Sequence, residues 1–172
     1  MSELSKTKTE ADAEVEVETK AEADSNVGDS NCPAEPQYNR NITILIDTNG
    51  FMIPVQFGID IFSELRRLGF TKFLTIPAVI SELEKLSKTL KGNDRIAARV
   101  ALQLSKQCEV PSDSLRRTVS GKYADDIIIE SAVKYSVCVL TNDAGLRQKL
   151  MSKDVVVVSM RQTNRLDIIT QK

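Results

Sequence analysis

The chain has 172 residues, 24 acidic and 23 basic side chains and no histidine, which bounds it to one domain with room for a tail. The missing histidine excludes Ser-His and Cys-His nucleophile systems, histidine acid–base pairs and histidine-ligated zinc. Three scattered cysteines, Cys32, Cys108 and Cys138, make neither a disulfide framework nor a zinc spacing.

The near-neutral balance hides two unlike parts. Residues 1–40 carry ten acidic and four basic side chains, a net of −6, so the remainder stands at +5. Residues 1–39 are acidic and poor in aromatics, and are expected to form a disordered tail. The start of the chain lacks the apolar core of a secretory signal, and no run approaches the roughly 20 apolar residues of a membrane helix. The expectation is an intracellular protein with no membrane association, in an archaeal or similar cytoplasm or, in a eukaryote, the nucleus.

The body, residues 40–162, reads as alternating strands and helices. Ile42–Ile46 is apolar on both faces, as a central parallel strand is. Next comes a loop holding Pro54 and Gly58, then a helix with Ile61, Leu65 and Leu68 in phase and Gly69 at its end. Lys72–Ile76 is a short strand, and Pro77 opens a helix with Val79, Leu83, Leu86 and Leu90 on one face. A further helix follows, capped by Asn93 or Asp94. Another begins near Asp125, and its three consecutive isoleucines demand burial on most sides. "SVCVLT" is a strand, "NDAGLRQKLM" a short helix and "DVVVVSM" the last strand. Residues 163–172 form a weakly patterned C-terminal extension. The alternation predicts an α/β fold, three layers with a central parallel sheet between helices.

Ligands of such folds bind at the carboxyl ends of the strands. Asp47 follows the first strand, Asp143 follows a later one, and Asp125 and Asp126 open the isoleucine helix. Glu82 flanks the core face of its helix. Each acid also has a purely structural account. Asp47, Asp125 and Asp143 could cap helices or turns, at about 1 kcal/mol each. Capping fits Asp125 and Asp143 better than Asp47, whose next helix Pro54 and Gly58 delay. Glu82 could pair with Lys85 or Arg99. Taken together, converging carboxylates repel unless a cation neutralises them, and oxygen-only ligands suit Mg²⁺ or Mn²⁺. An acidic, histidine-free pocket on a basic body points to metal-assisted attack on a phosphodiester. No nucleotide cofactor is indicated.

"LIDTN", "IPAVISELEKL", "YADDIIIESA" and "VLTNDAGLRQKL", in that order, resemble a PIN-domain ribonuclease. The likeness runs from Ile42 to Met160, and its specific feature is the ordered set of acids. It implies that Asp47, Glu82, Asp125 and Asp143 are the catalytic, metal-binding carboxylates, with Asp126 as a supporting or alternative ligand. Thr48, Asn49, Thr141 and Asn142 would orient ligands or waters, although Thr48 and Asn49 equally suit plain turn chemistry. The family branch most similar processes small-subunit ribosomal RNA in archaea and eukaryotes; VapC toxins are second. The implied function is a Mg²⁺/Mn²⁺-dependent endoribonuclease acting on precursor rRNA, as a homodimer or in a ribosome-assembly particle.

Lys85, Lys88, Arg95, Lys122, Arg147, Arg161 and Arg165 are candidates for the RNA backbone, though a solvated charged surface explains any one of them. Lys91, Arg116, Arg117 and Lys149 lie in the same basic groups. Two further readings keep the fold: a VapC-like toxin with the same chemistry, and a non-catalytic RNA-binding or assembly module. A phosphoaspartate receiver is disfavoured because "LIDTNG" offers one acid where that function needs a pair.

Overall fold

The computed structural model describes residues 39–112, 123–161 and 165–169. The expected acidic tail lies outside them. Among the described residues there are five strands and six helices. In chain order they are β1 (Thr43–Ile46), α1 (Thr48–Phe57), α2 (Ile61–Arg67), β2 (Lys72–Leu74), α3 (Pro77–Thr89), α4 (Gly92–Ser105), α5 (Ala124–Tyr135), β3 (Cys138–Leu140), α6 (Ala144–Met151), β4 (Val157–Arg161) and β5 (Arg165–Ile169).

The strands form one sheet in the order β2-β1-β3-β4-β5, parallel except for the antiparallel pair β4 and β5. All four residues of β1 are buried, and because strand side chains alternate, both faces of the sheet are covered by helices. This is the predicted α/β arrangement. Phe51, Ile44, Leu74, Leu83, Ile128 and Leu140 are among the fully buried side chains that fill it. Ile128 alone of the three consecutive isoleucines is buried, while Ile127 and Ile129 are half-buried against the same core.

The structure departs from the sequence expectation in three places. The loop expected after the first strand is helix α1, with Pro54 inside it and Gly58 ending it in the left-handed conformation at φ 70°. Pro54 forgoes one backbone donor, but Phe51, Met52 and Ile53 are buried, and their burial outweighs it. Helix α4 already begins at Gly92, with Lys91 at the cap position, so neither Asn93 nor Asp94 caps it. The C-terminal extension contributes β5, whose pairing with β4 runs from Arg161↔Arg165 to Val157↔Ile169. Its only buried side chain is Leu166, so no apolar run announces it.

Helix α2 covers the free edge of β5. The Glu64 carboxylate accepts from the Leu166 amide at 3.0 Å and Arg67 donates to the Leu166 carbonyl at 2.6 Å. Glu64 and Arg67 also pair through two bonds, of 3.0 and 2.8 Å. Backbone groups that an edge strand leaves open are thereby satisfied by side chains.

Candidate active site

The strand order places β1 between β2, which follows it in the chain, and β3, which comes much later. The chain's direction of travel across the sheet reverses at β1 and β3, and their carboxyl ends border the crevice where α/β folds bind ligands. Ile46 and Leu140 are register partners, so the residues after them, Asp47 and Thr141, meet across 94 positions of sequence. The Asp47 amide donates to the Leu140 carbonyl at 3.1 Å, continuing the ladder one step past the strand.

Gly50 makes this approach possible. A Cβ there would lie 2.9 Å from the Leu140 carbonyl oxygen and 3.0 Å from its Cγ. The first turn of α1 therefore rests directly on the end of β3. No sequence signal beyond the glycine itself marks this contact.

Asp47 is 3 % exposed and caps α1, its Oδ1 accepting from the Thr48 amide at 2.5 Å. Its Oδ2 accepts from the Thr141 hydroxyl at 2.8 Å. Burial pushes its pKa up to about 6, against the lowering effect of these hydrogen bonds, and repulsion from Glu82 adds to the rise. The Thr48 hydroxyl donates to Glu82 Oε2 at 2.7 Å, so Glu82 faces the site and not Lys85 or Arg99. On the other side, the Thr141 hydroxyl accepts from the Asp143 amide at 3.1 Å. Asp143 in turn caps α6 by accepting from the Leu146 amide at 2.7 Å. One chain of hydrogen bonds thus runs from Glu82 through Thr48, Asp47 and Thr141 to Asp143.

Asp125 stands apart from that chain. It lies in the first turn of α5 but is no cap, since Tyr123 holds that position without a side-chain bond. Helix α5 returns antiparallel to the strands, which brings its N-terminus to their carboxyl ends. There the Asp125 carboxylate meets Lys149 of α6 at 3.2 Å. Asp126 is exposed and lines a shallow groove with Ile129, Glu130, Lys149, Ser152 and Lys153.

The polar neighbours divide. Thr48 and Thr141 are buried bridges between acids, while Asn49 is exposed. Asn142 accepts from Ser159 at 3.2 Å, and Arg147 donates to the same hydroxyl at 3.3 Å. Arg147 therefore ties α6 to β4 instead of standing free. Ser159 was missed by sequence reasoning, although a serine in "VVVVSM" is the one polar side chain of an apolar strand. Lys85, Lys88, Arg161 and Arg165 are exposed, and Arg95 donates to the Ser87 carbonyl at 3.2 Å. Lys122, Arg116 and Arg117 lie outside the described residues.

Among the described residues, no three acidic or other ligating side chains are gathered closely enough to hold a metal as they stand. In donor chemistry the set does fit a hard cation. Asp47 and Glu82 offer only carboxylate oxygens and repel each other in a partly dry site, which a divalent ion would relieve.

Comparison with known proteins agrees with this fold. A family described as a PIN-like domain matches residues 44–163. Ribonuclease VapC9 of Archaeoglobus fulgidus is 33 % identical over 122 residues, covering 71 % of this chain and 85 % of its own. Ribonuclease VapC4 of Methanocaldococcus jannaschii is 31 % identical over 130 residues, covering 73 % and 95 %. The solved structure of the PIN domain endonuclease Utp24 superposes with a TM-score of 0.58 at 28 % identity, over 74 % of this chain and 91 % of that one. The chain belongs to the PIN-like domain family.

Proposed function

We propose that the protein is a divalent-metal-dependent endoribonuclease that hydrolyses RNA phosphodiesters, with precursor ribosomal RNA as its substrate in the cytoplasm. The observation that carries this reading is the buried Asp47 carboxylate where β1 and β3 end side by side, linked through Thr48 to Glu82 and through the Thr141 hydroxyl to the backbone of Asp143. The named relatives are ribonucleases and the structural neighbour is an endonuclease, which supports the reaction class.

Asp47, Glu82 and Asp143 would hold Mg²⁺ or Mn²⁺, with Asp125 joining them once it leaves Lys149. The ion when bound supplies an acidified water and neutralises charge on the phosphoryl oxygens. The Thr141 hydroxyl fixes the Asp47 carboxylate, and the Thr48 hydroxyl fixes Glu82, so each side chain is held before a substrate arrives. Lys85 and Lys88, exposed on the helix that carries Glu82, attract the RNA backbone. Lys122, Arg161 and Arg165 are assigned the same duty.

The test is cleavage of a single-stranded RNA and of small-subunit rRNA precursor in Mn²⁺, parent against Asp47→Asn. The reading requires a loss of at least about a hundredfold, equivalent to roughly 3 kcal/mol of transition-state stabilisation. Equal metal-dependent rates would refute it. A toxin reading is favoured by the two VapC relatives; growth arrest on expression and indifference to rRNA precursor would select it.

A further inference from the structure

We infer that Lys149 is a built-in counter-ion of the acidic site, one that occupies Asp125 until a divalent cation displaces it. This rests on the metal-dependent reading above and adds a regulatory residue to it.

Asp47 and Glu82 are linked through the amide and hydroxyl of Thr48, and Asp47 is linked through the Thr141 hydroxyl to the Asp143 backbone; among the described residues none of these three acids is in an ion pair. Asp125 is the exception, held by the Lys149 ammonium at 3.2 Å. The two residues come from different helices, 24 positions apart, and Lys149 rides on α6, the helix that Asp143 caps. Any movement that lets Asp125 face the other acids must part this pair.

Magnitudes favour exchange. The pair is solvent-exposed, with 54 % and 44 % of the two side chains accessible. Such exposed ion pairs are weak, because solvent screens them and two long side chains must be ordered to form them. A divalent ion bound by oxygen ligands carries twice the charge of an ammonium at shorter range, so it wins Asp125 at modest concentration. The ammonium thus neutralises Asp125 in the metal-free protein, at the expense of metal affinity.

Lys153 provides an internal control. It lines the same shallow groove beside Lys149 and Asp126, but does not touch Asp125. Replacing it removes the same unit charge without removing the competitor.

Mn²⁺ binding to the full chain is measured by calorimetry for the parent, Lys149→Gln, Lys149→Arg and Lys153→Gln, with thermal unfolding in EDTA to verify folding. Lys149→Gln should bind Mn²⁺ about three- to tenfold more tightly than the parent. Lys149→Arg should stay near the parent, Lys153→Gln should change less than twofold, and Asp125→Asn added to Lys149→Gln should abolish the gain. An unchanged or weakened affinity in Lys149→Gln, or an equal gain in Lys153→Gln, would overturn the inference and leave the metal reading intact. A parent that binds no Mn²⁺ would overturn both.

Discussion

At the scale of single residues, the site is governed by Asp47. An aspartate buried to 3 % exposure is costly as an anion, and its pKa near 6 expresses that cost. The folded-state value lies above the ordinary 3.8, so the folded protein binds the proton more tightly than the unfolded chain. The associated stability is complete below about pH 3.8 and is lost as pH rises through 6. Asp47→Asn, neutral throughout, should therefore stabilise the metal-free protein by roughly 1–3 kcal/mol at pH 8 and by little at pH 4. Urea unfolding in EDTA at the two pH values measures this; an equal effect at both would mean that the carboxylate is not strained. The same substitution should abolish cleavage, so stability and activity move in opposite directions at one position. Capping does not exclude Asp47 from the candidate site, as its side chain caps α1 and also accepts from Thr141.

At the scale of elements, what matters is how closely α1 approaches β3. Alanine at position 50 would gain about 1 kcal/mol of helix propensity over glycine. Its Cβ would also meet the Leu140 carbonyl at 2.9 Å, a backbone atom that cannot rotate away. Overpacking of this kind costs about 1–3 kcal/mol, so the net effect of Gly50→Ala should be destabilising by roughly 1–2 kcal/mol. It should also weaken Mn²⁺ binding, because the helix cannot move without carrying Asp47 away from Thr141. Denaturant unfolding and metal titration of Gly50→Ala check both parts. Helix α1 was also the hardest element to read in the sequence. Pro54 and Gly58 are loop signals, and the burial of Phe51, Met52 and Ile53 that overrides them exists only once β1 and β3 are in place.

At the scale of the whole molecule, the sheet is closed on one side by the bond between α2 and β5. Arg67 beside Glu64, together with the Leu166 amide, holds the Glu64 carboxyl down at about 2, against an ordinary 4.5. A depressed value contributes stability above about pH 4.5 that disappears as pH falls toward 2. Glu64→Gln should therefore lower stability modestly at neutral pH, by about 0.5–1 kcal/mol for an exposed pair, and converge with the parent near pH 2. It should also speed hydrogen exchange at Leu166, whose charged acceptor becomes a single neutral amide oxygen shared with Arg67. Acid titration of unfolding and amide exchange test the two statements, and unaltered exchange at Leu166 would show that the strand needs no such cover.

The sequence alone determined the order of β1, β2, β3 and β4 and of five of the six helices, because these follow from local apolar periodicity and from helix-start signals such as Pro77 at the first position of α3 and Asp143 at the cap of α6. It also determined which acids follow strand ends, and the absence of histidine limited their chemistry to oxygen ligation. Only the tertiary structure decided that Thr48 bridges to Glu82, that Thr141 bridges to Asp47 and that Lys149 takes Asp125. These pairs span 34, 94 and 24 positions, and their meeting depends on strand order and register, which no local pattern encodes. The same holds for β5, which exists because β4 presents an open edge and α2 covers the far side, while its own residues carry almost no strand signal.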